Sequence, residues 1–399
     1  MANIIERWDL IKLENLLDFY IGGDWGDQEP INSNYTATKV LRATDISNWE
    51  NDHGENAQVR FLKDNSLAKR QLKENDLIIE VSGGSPDQPV GRTIIISSDD
   101  IQKFQYPVTC SNFFRLLRFN NKINPKFINY YFKFLYETKI IESYQSNSTN
   151  LRNLKFSQFL NQNIPVPQTL GEQQEIVDVL DAASEIIRLR AACIESAQDL
   201  IPALFQEMFG DPLNNNKNLT KEKIGKIFTL TSGKFIPSKE LNSNGQYPVY
   251  GGNGINGYHN EFLFEDSKIC IGRVGVKCGC VHKTKPNSLI TDNALYINNY
   301  LIPINETYLK EALTQINLNQ YSKRVAQPVI SQTTIYNQYI LLPSIGQQEL
   351  FAEKVQEIEE YIKSQEAELE NAKAMFQSLL HHSFTGELTR HKFGGDANG

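Results

Sequence analysis

A nine-position hydrophobic seam occurs twice in this chain, and its two copies lie 175 residues apart. The first copy consists of Ile176, Leu180, Ala183, Ile187, Arg190, Ile194, Ala197, Ile201 and Leu204. The second copy consists of Phe351, Val355, Ile358, Ile362, Gln365, Leu369, Ala372, Phe376 and Leu379. Both advance by alternating steps of four and three residues, which is the spacing of the buried stripe in a coiled coil. The repeat therefore predicts two long helices of equal length.

Each predicted helix begins with the same kind of capping sequence. Thr169-x-x-Glu172 precedes the first seam, and Ser344-x-x-Gln347 precedes the second. In this pattern the hydroxyl and the later carboxyl or amide group bind N–H groups that the first helical turn leaves without partners. Each seam also carries one polar residue at the same step, Arg190 in the first copy and Gln365 in the second. The chain thus contains a duplicated module.

The rest of the chain alternates with these helices. We divide it into a globular part at 1–160, a helical part at 161–212, a second globular part at 213–336, and a second helical part with a tail at 337–399. The globular parts begin alike, with Lys12-Leu13-x-x-Leu16 and Lys223-Ile224-x-x-Ile227. Strands are predicted at 77–81 and 93–97 and at 268–272 and 277–282, each pair around a glycine-rich turn, and helices at 129–142 and 306–321. The pattern predicts an α+β fold with an internal two-fold repeat.

The composition is typical of a soluble globular protein. Hydrophobic residues make up 40% and charged residues 22% of the chain. No apolar run approaches the roughly 18 residues of a membrane helix. The first residues lack the hydrophobic core of a secretion signal, and five cysteines, an odd number, favour reduced thiols over a disulfide framework. We therefore expect a cytoplasmic protein.

Charge is distributed unevenly along the chain. The total is −7, yet residues 213–336 carry +6, whereas the helical parts at 161–212 and 337–399 carry −7 and −5. The second globular part is therefore suited to meet a polyanion while the acidic helices stay away from it. Acidic helix faces that serve only solubility explain the same charges equally well.

Taken in order, these features resemble the specificity (S) subunit of Type I restriction–modification systems, over essentially the whole chain. The strongest local resemblance lies in Tyr247-Pro248-Val249-Tyr250-Gly251-Gly252-Asn253-Gly254, Gly257-Tyr258, Ile271-Gly272-Arg273-Val274-Gly275 and Thr291-Asp292-Asn293-Ala294. Asn163-Ile164-Pro165-Val166-Pro167 and Tyr339-Ile340-Leu341-Leu342-Pro343 resemble the strands that lead into the family's helical regions. The first globular part departs more and retains Gly91-Arg92 and Ser148-Thr149-Asn150-Leu151.

The resemblance implies a non-catalytic subunit that reads a split, asymmetric site in double-stranded DNA, with one target-recognition domain for each half. It also implies that the two helices pair antiparallel, space the two halves and dock two methyltransferase (M) subunits. Restriction/translocase (R) subunits would join through the M subunits. Cofactors are expected only in those partners, namely S-adenosylmethionine for N6-adenine methylation and ATP with Mg²⁺ for cleavage. This chain is expected to bind none.

Antiparallel pairing would bring Arg190 and Gln365 together near the middle of the seam. A polar pair at one level fixes the register of a coiled coil at some cost in stability. The alternative is that Arg190 extends outward into solvent and specifies nothing. The predicted first helix, from Glu172 to Met208, is about 55 Å long at 1.5 Å per residue. That length exceeds a helical turn of DNA, about 34–36 Å.

DNA contacts are expected from basic and polar side chains on loops of both globular parts. Arginine is the commonest reader of guanine, and asparagine or glutamine of adenine. Arg273 and Lys277 flank a glycine-rich turn that allows close approach of the backbone to DNA, although any one of these side chains could instead be solvated or structural. The candidates are Ser82, Arg92, Asn112, Asn150 and Arg152 in the first part and Tyr258, Arg273, Lys277, Asn293, Lys323, Arg324 and Gln327 in the second.

Other kinds of site are disfavoured. Cys278, Cys280 and His282 alternate as if on one face of a strand, but a zinc site needs CxxC-type spacing or a second ligand pair. Asn124-Pro125-Lys126-Phe127 lacks the second proline of the amino-methyltransferase string. We find no GxxxxGK[ST] phosphate loop and no nucleophile signature. The chain is therefore predicted to be non-catalytic and to hold no metal.

Two other functions fit the same residues. One is the specificity subunit of a methylation-only or related phage-defence system, which shares the fold but lacks a nuclease partner. The other is a protein-binding scaffold that never contacts DNA, although the +6 charge of residues 213–336 and the turn beside Arg273 favour DNA. Salt-dependent, sequence-selective binding to duplex DNA distinguishes a specificity subunit from a scaffold.

Overall fold

The structure, a computed structural model, describes residues 8–85, 87–148, 151–242, 244–323 and 328–385. The chain folds into two compact units. The first unit consists of Met1–Leu189 together with Glu370–Gly399, and the second consists of Arg190–Leu369. Each unit therefore combines one globular part with segments of both helical parts.

Strands of the first unit all precede its long helical segment. They are β1 (Asp9–Lys12), β2 (Leu17–Gly22), β3 (Tyr35–Leu41), β4 (Gln58–Lys63), β5 (Leu77–Glu80), β6 (Ser82–Gly84), β7 (Thr93–Ile95), β8 (Val108–Cys110), β9 (Phe114–Phe119), β10 (Gln145–Ser148), β11 (Leu151–Leu154) and β12 (Asn163–Val166). The strands of the second unit are β13 (Lys221–Lys223), β14 (Phe228–Ser232), β15 (Tyr247–Gly251), β16 (Gly254–His259), β17 (Ile269–Gly272), β18 (Val281–Lys283), β19 (Leu289–Ile290), β20 (Ala294–Tyr300) and β21 (Tyr339–Leu341).

Helices are short within the globular parts and long between them. They are α1 (Ala43–Ser47), α2 (Trp49–Asp52), α3 (Asp64–Arg70), α4 (Ser98–Lys103), α5 (Pro125–Glu137), α6 (Phe156–Leu160), α7 (Leu170–Phe209), α8 (Glu306–Gln315), α9 (Gln332–Tyr336) and α10 (Ile345–Thr385). The helices predicted at 129–142 and 306–321 correspond to α5 and α8, each followed by a short 3₁₀ turn, Ile140–Tyr144 or Leu318–Tyr321.

Both units are built around the same antiparallel four-stranded sheet. Its order is β2-β9-β5-β7 in the first unit and β14-β20-β17-β18 in the second. A second sheet has the order β4-β3-β8 in one unit and β16-β15-β19 in the other, with one antiparallel and one parallel pair in each. The pairs β1–β12 and β13–β21 join the first and last strands of each globular part. The predicted α+β fold with a two-fold repeat is confirmed.

An additional sheet, of order β10-β11-β6, distinguishes the first unit. Asn153 of β11 pairs with Ser82 of β6, and Arg152 pairs with Gly84. The segment after 77–81, predicted as a turn, therefore contributes a strand. The sheet also accounts for part of the greater length of the first globular part.

The predicted strand at 277–282 is mostly wrong. Strand β18 begins only at Val281, and the residues before it form a tight turn. Gly275 and Gly279 have φ angles of +89° and +88°, a region that glycine enters without a steric penalty. Two left-handed positions four residues apart close a turn and interrupt any extended run between them.

The two seams form continuous antiparallel helices. α7 has 40 residues and α10 has 41, and every seam position is buried or half-buried. In the second unit, Phe205 packs edge-on against Phe351, with ring centroids 5.8 Å apart, while earlier in α7 Cys193 Sγ lies 3.2 Å from Tyr361 Oη, later in α10. In the first unit, buried residues of both helices share one core with the globular part. The predicted antiparallel coiled coil is confirmed.

A buried glutamine attaches each long helix to the globular part of its own unit. Gln173 Oε1 accepts a hydrogen bond from Asn124 N (2.7 Å), and its Nε2 donates to a proline carbonyl before α7 (3.3 Å). Gln348 Oε1 accepts from Asn305 N (3.0 Å), and its Nε2 donates to a proline carbonyl before α10 (2.9 Å). Asn124 and Asn305 are themselves the N-caps of α5 and α8. The same junction is thus built twice from the same residue types.

Candidate nucleic-acid interface

Three loops meet at one end of the main sheet in the second unit. They are residues 233–235 after β14, 273–277 after β17, and 291–293 before β20. Because β14 and β17 both run antiparallel to β20, their last residues and the first residue of β20 lie at the same edge. We call these three loops the loop edge of the second unit.

Backbone hydrogen bonds join the three loops. Asp292 N donates to Lys234 O at 3.2 Å, and Arg273 N donates to Asn293 O at 2.8 Å. The chain near Lys323 joins them through backbone pairing with Val329, which also pairs with the loop after β17. Satisfied backbone groups hold each loop at a defined place.

Glycines occupy the points where neighbouring backbones touch. A Cβ at Gly272 would lie 2.0 Å from the carbonyl oxygen of Gly252, and one at Gly252 would lie 3.0 Å from that of Val274. A Cβ at Gly233 would lie 2.2 Å from the carbonyl oxygen of Thr291. Larger residues at Gly272 and Gly233 would force the loops apart, which explains why glycine occurs at these positions.

Four cationic side chains extend from the loop edge or beside it: Lys234, Arg273, Lys277 and Lys323. Arg273 is half-buried and the three lysines are exposed. Within the described part of the chain, none of the four forms a side-chain hydrogen bond or ion pair. Asn293, also exposed, lies among them. Four of the residues predicted from the sequence, namely Arg273, Lys277, Asn293 and Lys323, therefore come together.

The first unit has a corresponding loop edge, formed by residues 23–25 after β2, 81–82 after β5, and 111–113 before β9. Gly23 again marks a close approach, because a Cβ there would lie 2.1 Å from the carbonyl oxygen of Ser111. The strand directions are the same as in the second unit. One scaffold thus presents two sets of loops.

Equivalent hydrogen bonds define which residues correspond. Val81 N donates to Phe113 O at 2.8 Å, just as Arg273 N donates to Asn293 O at 2.8 Å. Phe113 therefore occupies the position of Asn293, and Val81 that of Arg273. The scaffold is shared, but the chemistry that it presents differs between the units.

Ser82, Asn112 and Arg152 lie at or beside the loop edge of the first unit. Ser82 Oγ donates to Asn153 Oδ1 at 2.5 Å, and its backbone N donates to Phe113 O at 3.3 Å. Arg152 Nη1 lies 2.8 Å from Glu142 Oε2. Asn112 is exposed. The structure thus brings these predicted residues together, two of them already engaged with protein groups.

Arg92 is held by a buried carboxylate. Its guanidinium donates to both oxygens of Glu80, at 2.9 and 2.7 Å, and to Ser47 Oγ at 2.5 Å. The side chain of Glu80 is only 2% exposed. The hydrogen bonds that Arg92 donates to Glu80 raise the pKa of Arg92, which keeps the guanidinium charged. Arg92 therefore stabilises the strand ends in this structure.

Other predicted residues lie elsewhere. Tyr258 is half-exposed on β16, opposite Pro248, and belongs to the second sheet of its unit. Asn150, Arg324 and Gln327 lie outside the described residues.

Three residues at the two loop edges were missed from the sequence: Lys234, Phe235 and Phe113. A signal for the first two exists, since Gly233-Lys234-Phe235 follows Gly23-Asp24-Trp25 at nearly the offset of the repeated starts of the globular parts. Phe113 could be recognised only once β9 was aligned with β20.

The cysteines and histidine near β17 do not form a ligand set. Cys278 is buried in the turn before β18, and His282 lies on β18 opposite Cys270. Burial raises the pKa of the Cys270 thiol to about 12, which disfavours the thiolate that a metal would need. In the described ranges, no three His, Cys, Asp or Glu side chains are grouped to hold a metal ion. The helices described there include none long and apolar enough to cross a bilayer.

Comparison with known proteins identifies the class that this duplicated fold represents. The model of the Type I restriction modification DNA specificity domain matches residues 5–197 and again residues 216–373. The chain therefore belongs to the family of Type I restriction–modification specificity subunits, which are the non-catalytic DNA sequence-specificity components of these complexes.

Individual relatives share only a limited part of their sequence with this chain. The EcoKI specificity subunit of Escherichia coli (strain K12) is 23% identical, over 96% of this chain and 90% of that protein. The EcoprrI specificity subunit of Escherichia coli is 31% identical, but over only 32% of this chain and 33% of its own length. The solved S subunit of a Type I system from M. genitalium matches with a TM-score of 0.52 and 17% identity, over 94% of this chain and 96% of that one. That likeness supports the fold.

Proposed function

We propose that this chain reads a bipartite, asymmetric site in duplex DNA, with the loop edge of each unit reading one half. The observation that carries the proposal is the pair of loop edges, built by the same strand ends and hydrogen bonds but bearing different side chains. A shared scaffold with different contact residues is what two unlike half-sites require. Binding of the whole complex to DNA follows from this assignment.

In the second unit, the four cations that have no side-chain partner among the described residues would bind phosphates and base edges. Lysine and arginine that neutralise phosphates provide most of the salt-dependent affinity, whereas base contacts provide selectivity. Arg273 is half-exposed and its backbone is bonded to Asn293, and we assign its guanidinium to reading guanine, the base that arginine most often contacts. Lys277 and Lys323, both exposed, would contact phosphates.

In the first unit, Asn112 is exposed without a side-chain partner among the described residues, and we assign it to base reading. Ser82 and Arg152 lie on the paired strands β6 and β11 and would contact the backbone or the bases of the other half-site. Asn150, Arg324, Gln327 and Tyr258 remain proposed contacts on sequence grounds alone.

The two long helices would space the half-sites and dock two methyltransferase subunits, through which restriction subunits join. Apolar side chains on α7 outside the seam are consistent with docking, because Ile186, Leu189 and Leu200 are all exposed. Phe205, by contrast, is fully buried among aromatic rings of its own unit. S-adenosylmethionine, ATP and Mg²⁺ would act in those partners, and the assembly would work in the cytoplasm on cellular and phage DNA.

Methylome sequencing tests the proposed function. Cells that express this chain with the methyltransferase encoded beside it should carry N6-methyladenine in one split motif, and the motif should disappear when this chain is deleted. A stable complex with the methyltransferase that methylates no motif and binds no duplex selectively would contradict the proposal and favour a protein scaffold. A neighbouring nuclease gene separates a restriction system from a methylation-only one.

The spacing role is tested by lengthening both helices. Seven residues, one heptad, inserted at the level of Arg190 in α7 and of Gln365 in α10 keep the seam in phase and add about 10 Å. The preferred spacer should lengthen by about three base pairs at about 3.4 Å each, with unchanged half-site sequences. Four residues inserted into α7 alone break the seam and serve as the mismatched control. An unchanged spacer length in the heptad variant would refute the spacing role of the helices.

A further inference from the structure

An aromatic side chain projects into solvent at each loop edge. Phe235 is 70% exposed in the second unit, and Phe113 is 46% exposed in the first. In the described part of the chain, neither ring stacks on another aromatic ring or under a cation. Burial of a phenylalanine side chain stabilises a folded protein, and both residues forgo much of that contribution.

The position equivalent to Phe235 shows how such a ring is covered when it serves the fold. Trp25 follows Gly23 as Phe235 follows Gly233, and the guanidinium of Arg60 lies 4.8 Å from its ring centroid. Trp25 also packs against a small buried cluster of its own unit. Phe235 lacks such a cover in the described part of the chain. The two units thus expose their rings from different loops, Phe235 after β14 and Phe113 before β9.

The surroundings of Phe235 indicate what covers it. Lys234 precedes it and lies exposed, and the loop of Arg273 and Lys277 is two hydrogen-bonded steps away on the same edge. The tip of that loop adds a second exposed apolar residue, Val276, which is 82% exposed. Apolar side chains set among cations that have no partner in the described part of the chain are suited to a polyanion with an apolar interior. Duplex DNA has that character, with phosphates outside and stacked bases inside.

We propose that Phe235 and Phe113 are base-contacting wedges, one for each half-site, that press between or against bases and partly unstack them. The inference rests on the proposed DNA-reading function and deepens it. Proteins that insert apolar side chains between base steps kink the duplex and gain contact area. Because steps differ in the energy needed to unstack them, each wedge would also add sequence preference without hydrogen bonds.

The test uses the full chain in complex with its methyltransferase, on the duplex target found by methylome sequencing. 2-Aminopurine is placed in turn at each position except the methylated adenine, since its fluorescence rises when stacking is lost. The wild-type complex should raise fluorescence at one step in each half-site. Phe235→Ala should abolish the rise in one half only, and Phe113→Ala the rise in the other.

Affinity provides a second readout. Each alanine variant should bind the target about tenfold more weakly, as expected for loss of one base–aromatic contact, with unchanged affinity for unrelated duplex. Phe235→Trp should retain both signals. Leu301→Ala and Ile101→Ala are matched controls, because both residues are exposed and apolar. Leu301 follows β20 and Ile101 follows β7, at the end of each main sheet that lies away from the loop edge.

Each result decides between the two proposals. Selective target binding without a local fluorescence rise would overturn the wedge proposal and leave the specificity function intact. The same conclusion would follow if the fluorescence rise and the affinity were both unchanged in Phe235→Ala and Phe113→Ala. An affinity loss in these variants without a fluorescence change would likewise exclude unstacking. Absence of any selective target would instead remove the proposed function itself.

Discussion

Arg190 and Gln365 occupy the same step of two seams that lie 175 residues apart, and Arg190 Nη1 donates a 3.0 Å hydrogen bond to Gln365 Oε1. Arg190 also pairs with Glu368, with nitrogen and oxygen 3.2 Å apart. The contact lies within the second unit, at the residue where that unit begins. A polar pair at one level of an otherwise apolar seam penalises shifted pairings more than it stabilises the correct one.

We predict that the double variant R190M/Q365L unfolds at a higher temperature than the wild type. A continuous apolar seam removes the desolvation of polar groups. A complex that contains this variant should methylate sites with a wider range of spacer lengths, because the register is less constrained. A double-mutant cycle should give a coupling of about 0.5 kcal/mol, since the partly exposed pair is screened by solvent. A lower melting temperature together with an unchanged spacer range would contradict this role.

Arg92 and Arg273, each of which follows a glycine, should respond differently to substitution. Arg92→Ala leaves the Glu80 carboxylate buried without its partner and should destabilise the first unit by about 3 kcal/mol. Adding Glu80→Gln should restore part of that loss. Arg273→Ala should change stability by less than about 0.5 kcal/mol and should weaken selectivity in one half-site only. Thermal unfolding and half-site competition measure both effects; equal selectivity losses in both halves would exclude Arg273 as a local reader.

Removing the buried glutamine at either junction should loosen one unit. Gln173→Leu leaves the backbone N–H of Asn124 without its acceptor in a part-buried place, at a cost of about 1 kcal/mol. Gln348→Leu should do the same at Asn305 in the second unit. Hydrogen exchange of α5 and α8 would locate each effect, and leucine substitutions at the exposed residues Gln377 of the first unit and Gln198 of the second provide controls. Faster exchange in both units from a single substitution would argue against separate junctions.

Stability of the second unit should fall below neutral pH partly because of His282. Burial lowers the pKa of His282 below its usual 6.5, so the unfolded chain binds a proton more readily than the folded one. The contribution is present above pH 6.5 and is lost as pH falls through 6.5 towards the lower folded value. His282→Phe should flatten the pH dependence of the melting temperature between pH 7.5 and 5.5, and His259→Gln should not. An unchanged slope in His282→Phe would refute the assignment.

Most of the fold could be predicted from local patterns in the sequence. The seams, the caps and the repeated starts of the globular parts are short-range features, so the helices and the duplication could be read from spacing alone. The first residue of β18 could not be predicted in this way, because the turn between Gly275 and Gly279 depends on backbone angles that the residues there permit but do not require.

The candidate interface was predictable only in part. Arg273 and Lys277 stand out because glycines lie close to them in the chain, and Asn293 because it belongs to the Thr291-Asp292-Asn293-Ala294 string. The engagement of Arg92 by Glu80 depends on strands β5 and β7 lying side by side, and the equivalence of Phe113 and Asn293 depends on strand pairing across each sheet. Contacts set by pairing between distant segments leave no local trace in the sequence.

The composition of the first unit has a consequence for how the protein is made. Its core contains Phe376, Leu380 and Phe384, which come from the far end of the chain. A ribosome that adds about 5–20 residues per second would finish Leu189 roughly 10–40 s before it reaches those residues. The core of the first unit therefore stays incompletely packed until the last helix is synthesised. A message truncated before Glu370 would yield a protein in which the part synthesised first lacks these core residues.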